Sequence, residues 1–216
     1  MREVFQSELL EVQERLVDIS RSVVTILEKA TDAFLTNNVS QADQALEISD
    51  ANEDKALALD ELVIKILARQ SPVARDLRVL VSALRISASL ERMGALACHL
   101  ASIARYRFPG SAVPDSLRKT FEEMSAMDIQ LAKKLTEVLQ NADVDLARAI
   151  QAEDERVDEL HRSVFEVVLS DSWKENAMFT VDVTLASRYF ERFADHVVEI
   201  SSKVTYLTTG EWHETE

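Results

Sequence analysis

Asp154 and Asp158 stand four residues apart in the stretch EDERVDELHRSVF, and Glu191 and Asp195 stand four apart in RYFERFADHVVEI. Side chains at that spacing lie over one another on one face of a helix. Two such pairs on adjacent antiparallel helices would gather four carboxylates. Beside an apolar seam these acids repel one another and lose hydration, so protons or a bound cation must offset their charge. Oxygen donors without a thiolate suit Mg, Mn, Ca or Fe, and a nearby histidine shifts the preference toward Fe or Zn. His161, one turn beyond Asp158, is such a histidine. The same pairs also fit a solvated helix face, and Arg188 and Arg192 offer Glu191 ordinary salt bridges.

What separates these pairs from an arbitrary charged face is their place beside a hydrophobic column. Val183, Ala186, Phe190, Phe193, Val197 and Ile200 recur at 4-3 spacing and define a packing seam. Glu191 and Asp195 lie one column over, at its shoulder. Leu146, Ile150, Val157, Leu160, Val164 and Val167 form the corresponding seam beside Asp154 and Asp158.

The first half repeats this layout with fewer donors. Glu91 lies within ASLERMGALACHL, but Ala95 stands where Asp195 stands one hundred positions later. Asp50, Glu53 and Asp54 on the preceding helix are the acids that could join Glu91, and the site expected there is weaker or absent. His99 reads as a structural or surface histidine, and Cys98 as a small seam-side residue rather than a nucleophile.

The elements that must position these groups are helices. Among 216 residues there are three glycines and three prolines, far fewer turn residues than a sheet-rich fold needs. The punctuation predicts a first helix over about Arg2 to Thr36, stopped by Asn37-Asn38. A Ser40/Asp43 capping box opens a second, reaching about Arg69. Ser71-Pro72 starts a third, which runs to Phe108-Pro109-Gly110. A fourth covers about Asp115 to Gln140. A fifth starts at Asn141-Ala142-Asp143 and ends at Leu169, and a Ser172/Glu175 box opens a sixth that ends near Thr209-Gly210. The fold class expected is all-α, six long helices in two similar three-helix bundles, units 1–110 and 111–216. Ser87, Glu91 and Arg92 match Ser187, Glu191 and Arg192, and Asp60-Glu61-Leu62 recurs as Asp158-Glu159-Leu160, which indicates an internal duplication.

With 38 acidic against 24 basic residues the net charge is −14, which argues against nucleic acid or an anionic lipid surface as a ligand. The start of the chain has neither a signal-peptide nor a transit-peptide pattern, and no window approaches the ~18 uninterrupted apolar residues of a spanning helix. The expectation is a soluble cytoplasmic protein without direct membrane insertion. Against the acidic background, Arg69, Arg75, Arg78, Arg85 and Arg92 form a basic stripe. A solvated face is the simpler reading, and docking of an acidic partner through Arg78 and Arg85 is the sharper one.

SPVARDLR followed by a long helix with SLERMG, then EDERVDELHRSVF and ASRYFERFADH, resembles the PhoU family of phosphate-signalling regulators across nearly the whole chain. The resemblance implies six helices in two bundles with E(D)-x-x-x-D motifs that hold metal ions in some members. Those motifs are intact as Asp154/Asp158 and Glu191/Asp195 and broken at Glu91/Ala95. It also implies a non-enzymatic negative regulator of phosphate uptake and phosphate-starvation signalling. Its partners would be the ATPase subunit of the phosphate ABC transporter and a sensor histidine kinase, and its cofactor a divalent or transition metal ion: Fe, Zn, Mn or Mg. A homodimer is compatible with it. Two rivals stay open from the residues alone: a ferritin-like di-iron carboxylate protein, for which only Asp158-x-x-His161 approaches the required Glu-x-x-His, and a metal-free helical scaffold.

Overall fold

The computed structural model describes residues 2–210; Met1 and residues 211–216, the end of the expected second unit, lie outside the described residues. The described residues form α1 (Arg2–Thr36), α2 (Val39–Gln70), α3 (Ala74–Arg107), α4 (Arg118–Asn141), α5 (Val144–Val168) and α6 (Ala177–Thr209), with no strand among them. The all-α architecture expected from composition is the one observed.

Four helix starts differ from those expected, two of them, in α2 and α6, because an asparagine rather than the expected serine caps the helix. Asn38 caps α2, its Oδ1 accepting from the Gln41 N–H at 3.3 Å. Ser40 therefore falls inside the first turn rather than opening the helix, because an asparagine two residues earlier already satisfies the orphan donor. Ser71 adopts a left-handed conformation, φ 45°, and terminates α2; α3 follows an extended Val73 with no side-chain cap. Before α6 the cap is Asn176, accepting from the Phe179 N–H at 3.1 Å, while Ser172 bonds instead with the Ser170 hydroxyl at 2.7 Å. The fourth helix starts at Arg118 rather than about Asp115, because the Leu117 N–H closes a turn on the Pro114 carbonyl at 3.0 Å. Asp143 caps α5 as expected, accepting from Leu146 N–H at 2.9 Å. At the far end Gly210, φ 79°, donates back to the Tyr206 carbonyl and stops α6.

Helices α1, α2 and α3 pack on one another, as do α4, α5 and α6, and the two sets meet through α1 against α4 and α3 against α6. Phe34, Phe121 and Phe190, one each from α1, α4 and α6, join at the centre with ring centroids 5.3 to 6.3 Å apart. Each is fully buried, contributing about 1.5–3 kcal/mol through area removed from water. Polar ties reinforce the junction. Gln13 of α1 donates to the Leu139 and Gln140 carbonyls at the end of α4, and Arg118 of α4 donates to the Leu35 carbonyl at the end of α1, 3.0 Å away. Each long side chain thus satisfies carbonyls that the neighbouring helix leaves open at its terminus. A pair between half-buried Arg107 and buried Asp182 ties the end of α3 to the start of α6. Among the described residues no helix is long and apolar enough to cross a membrane.

Candidate metal centre

The seams read from the sequence are the buried columns. Val183, Ala186, Phe190, Phe193, Val197 and Ile200 of α6 and Ile150, Val157, Leu160 and Val164 of α5 all face the core. Because α5 and α6 pack together, the rows beside those seams come together too. Asp154 and Asp158 are half-buried on α5, Glu191 is half-buried on α6, and Asp195 is exposed.

Electrostatics record the convergence. The Asp154 carboxyl is pushed up from 3.8 to about 6, first by burial and then by the charges of Asp158, Asp195, Glu191 and Glu155. Glu191 is also raised, mainly by burial and then by Asp195, with Arg188 pulling the other way. The four acids named from the two motifs therefore share one field. Among the described residues, however, no three Asp, Glu, His or Cys side chains surround a common ion position. On α6, Arg188 donates to Oε1 of Glu191, and Arg192 approaches Asp195 at 4.0 Å. Arginine is the resident counter-charge on this side. Nearby cations are engaged elsewhere: Lys134 of α4 with Glu153, and Arg156 of α5 with Glu123 and Glu159. His161, expected beside the acids, turns its Nδ1 to the Ser187 hydroxyl at 2.6 Å, and burial holds its pKa below the usual range.

A residue not singled out from the sequence completes this region. Asp128 of α4 is 0% exposed, and neither of its carboxyl oxygens has a hydrogen-bond partner. Burial and then the Asp154 charge raise its pKa well above the ordinary aspartate value. Its signal was legible: Phe121, Met124, Asp128, Leu131, Leu135 and Val138 follow strict 3-4 spacing, so an acid occupies a seam position. Oε2 of Glu191 is likewise buried without a partner.

A hard cation would supply to these orphaned oxygens what hydrogen bonding does not. Asp154, Asp158, Glu191 and Asp195 would hold it once Arg188 and Arg192 release their carboxylates, and the ion would neutralise the mutual repulsion of the cluster.

The first half is different. Asp50, Glu53, Asp54 and Glu91 are all exposed, and Asp50 and Glu53 register mainly as charges near the half-buried Cys98 thiol, whose pKa is raised chiefly by burial. Two other residues carry that half's orphaned atoms, Oδ1 of Asn52 and Oδ1 of Asp60, both on α2. His99 is a surface group lying against Tyr189, centroids 4.8 Å apart.

Arg78 and Arg85 do not lie on a detached back face. They line a cleft of about 340 Å³ between α3 and α6 with Leu77, Val81, Ser82, Lys203 and Tyr206. Arg69 pairs with Glu8.

A model of the PhoU domain matches the chain twice, over residues 16–104 and 121–204. The phosphate-specific transport system accessory protein PhoU homolog 2 of Mycobacterium tuberculosis is 38% identical over 97% of this chain and 99% of its own length. PhoU homolog 1 of Mycobacterium leprae is 36% identical, covering 99% and 96% respectively. The crystal structure of PhoU from Pseudomonas aeruginosa superposes with a TM-score of 0.87 at 25% identity, covering 96% of this chain and all of that one. The phosphate transport system regulatory protein PhoU from Streptococcus pneumoniae shares the fold at a TM-score of 0.86, 20% identity and 98% coverage of this chain. With the domain present once in each bundle, the chain belongs to the PhoU family and is built by internal duplication.

Proposed function

We propose that this protein is an accessory regulator of phosphate-specific transport. It restrains phosphate uptake and phosphate-starvation signalling by linking the ATPase subunit of the phosphate ABC transporter to a membrane sensor histidine kinase. The observation that carries this reading is likeness from end to end to proteins named for that accessory role, at 38% identity. In this reading the chain regulates rather than catalyses, and the carboxylates of the second bundle hold a divalent or transition metal ion that locks α5 to α6. The ferritin-like rival needs Glu-x-x-His on two helices, and no Glu-x-x-His occurs in the sequence.

The adaptor surface is assigned to the cleft between α3 and α6. Arg78 and Arg85 are exposed there, and neither has an ion-pair or hydrogen-bond partner among the described residues. In a chain of net charge −14, two unpaired arginines beside exposed Leu77 and Val81 suit an acidic, partly apolar segment of a partner.

Deleting the gene tests the reading. Cells in phosphate-replete medium are then expected to keep high-affinity uptake and starvation genes switched on, with both silenced by the restored gene. Uptake and gene expression unchanged by the deletion would contradict it.

A further inference from the structure

We infer that the cleft between the two bundles where α6 ends is the docking site of residues 211–216, with the Trp212 indole as the group that fills it. The internal duplication shows what such a crevice takes.

The two halves are related through equivalent contacts. Gln13 of α1 donates to the Leu139 and Gln140 carbonyls at the end of α4, and Arg118, 105 positions after Gln13, donates to the Leu35 carbonyl at the end of α1. Asn37 and Ala142, again 105 apart, follow α1 and α4 with φ of 60° and 52°. In α3 and α6 the equivalent positions are 100 apart, as at Ser87 and Ser187. Each end of the junction between the bundles therefore has a counterpart at the other.

At one end the linker from α3 to α4 crosses the junction. Ala112, Val113 and Leu117 are buried there, and the Ala112 N–H donates to Oδ1 of Asn37 at 3.1 Å. The counterpart of that end is a cleft of about 360 Å³. Its walls include Leu16 and Leu139, the equivalents of Phe121 and Phe34 in the aromatic junction. Two leucines thus stand for two phenylalanines and leave room for a further ring. Ala142, the counterpart of Asn37, lines the cleft, and so do Val204 and Leu207 in the last turns of α6.

The residues equivalent to the linker are those that follow α6. At the offset of 100, Trp212 corresponds to the buried Ala112. An indole supplies the apolar bulk that the leucines lack, and the Gln6 amide and Thr208 hydroxyl, which also line the cleft, can accept its N–H. Glu211, Glu214 and Glu216 complement Arg75 of the same cleft, which is exposed and has no ion-pair or hydrogen-bond partner among the described residues. Trp212 stands two residues after Gly210, and so short a tether gives an effective concentration of about millimolar, at which weak contacts suffice for docking. The linker closes its end covalently; this end closes by contacts that a competing segment can displace.

The test uses the full-length chain carrying Trp173→Phe, which leaves Trp212 as its only tryptophan. The expected result is a blue-shifted emission and an acrylamide quenching constant about threefold below that of the same chain unfolded in urea. Both are expected to be lost when Arg75→Glu is combined with Leu10→Glu, two exposed positions of the cleft. Wild-type chain labelled with 5-fluorotryptophan reports the same environment without Trp173→Phe, the Trp212 resonance being the one that Trp212→Phe removes. Native emission and quenching equal to those of the unfolded chain would overturn the inference, as would protection that survives the paired cleft substitutions. Protection that vanishes on dilution would assign the segment to the cleft of a second copy and overturn docking within one chain.

Discussion

Arg188 grips one oxygen of Glu191 while the other oxygen of the same carboxylate is buried with no partner. The site is thus half closed by arginine and half open toward the core. Replacing Arg188 with Gln removes the competitor for Glu191. Mn²⁺ affinity is expected to rise several-fold, while the metal-free protein loses about 1 kcal/mol or less, the scale of a pair with an exposed partner. Calorimetric titration and urea unfolding of the same preparation check both signs.

Removing the acids should do the opposite. Asp158→Asn combined with Asp195→Asn is expected to abolish metal uptake and, by lifting repulsion, to leave the chelated protein at least as stable as wild type. Elemental analysis and melting curves decide it. A marked fall in metal-free stability would mean that these carboxylates serve as buried salt-bridge partners instead.

Asp154 predicts a pH dependence with a definite sign. Its folded-state pKa, about 6, lies above the ordinary 3.8 because of burial and then Asp158, Asp195, Glu191 and Glu155. The folded state therefore holds the proton more tightly than the unfolded chain. The stabilising contribution is present in full below about pH 4 and is lost as pH rises through 6. Asp128 and Glu191 are shifted in the same direction. In chelator, unfolding midpoints of wild type should decline relative to Asp154→Asn between pH 4 and 6 and then run parallel. A constant difference across that range would refute the shift.

Buried Asp182 and half-buried Arg107 make a bidentate pair between α6 and α3. Asp182→Ala leaves the half-exposed guanidinium without its partner, so a loss of about 1–3 kcal/mol is expected by denaturant unfolding. The double replacement Asp182→Leu with Arg107→Met should recover most of it, because no buried charge remains.

Charge reversal of Arg78 and Arg85 to Glu should weaken pull-down of the transporter ATPase while leaving the melting temperature within a degree or two, since neither side chain is buried. Unchanged pull-down would remove this cleft from the adaptor surface.

Much of this was legible in the sequence because it is periodic. The 4-3 columns of α5 and α6 located both seams and both carboxylate rows, and the near absence of glycine and proline left little but helix. The misplaced starts of α2 and α6 have a local cause: Ser-x-x-Asp and Ser-x-x-Glu patterns at Ser40 and Ser172 compete with asparagines at positions 38 and 176, which bond the first free N–H groups of the helix. Asp128 belongs to no carboxylate pair within one helix, and its nearness to Asp154 depends on α4 lying against α5. The engagement of Glu191 by Arg188 was foreseeable from their three-residue spacing. The orphaned second oxygen was not, since it depends on how deeply α6 is packed.

In the proposed function one protein joins a carboxylate-held ion to the phosphate transport machinery. The most direct measurement is affinity capture of the native full-length protein from cells, with mass spectrometry of co-purifying proteins and elemental analysis of the same eluate. The expected result is at least one metal ion per chain together with the transporter ATPase subunit. An eluate with no stoichiometric metal and no transporter component would contradict it.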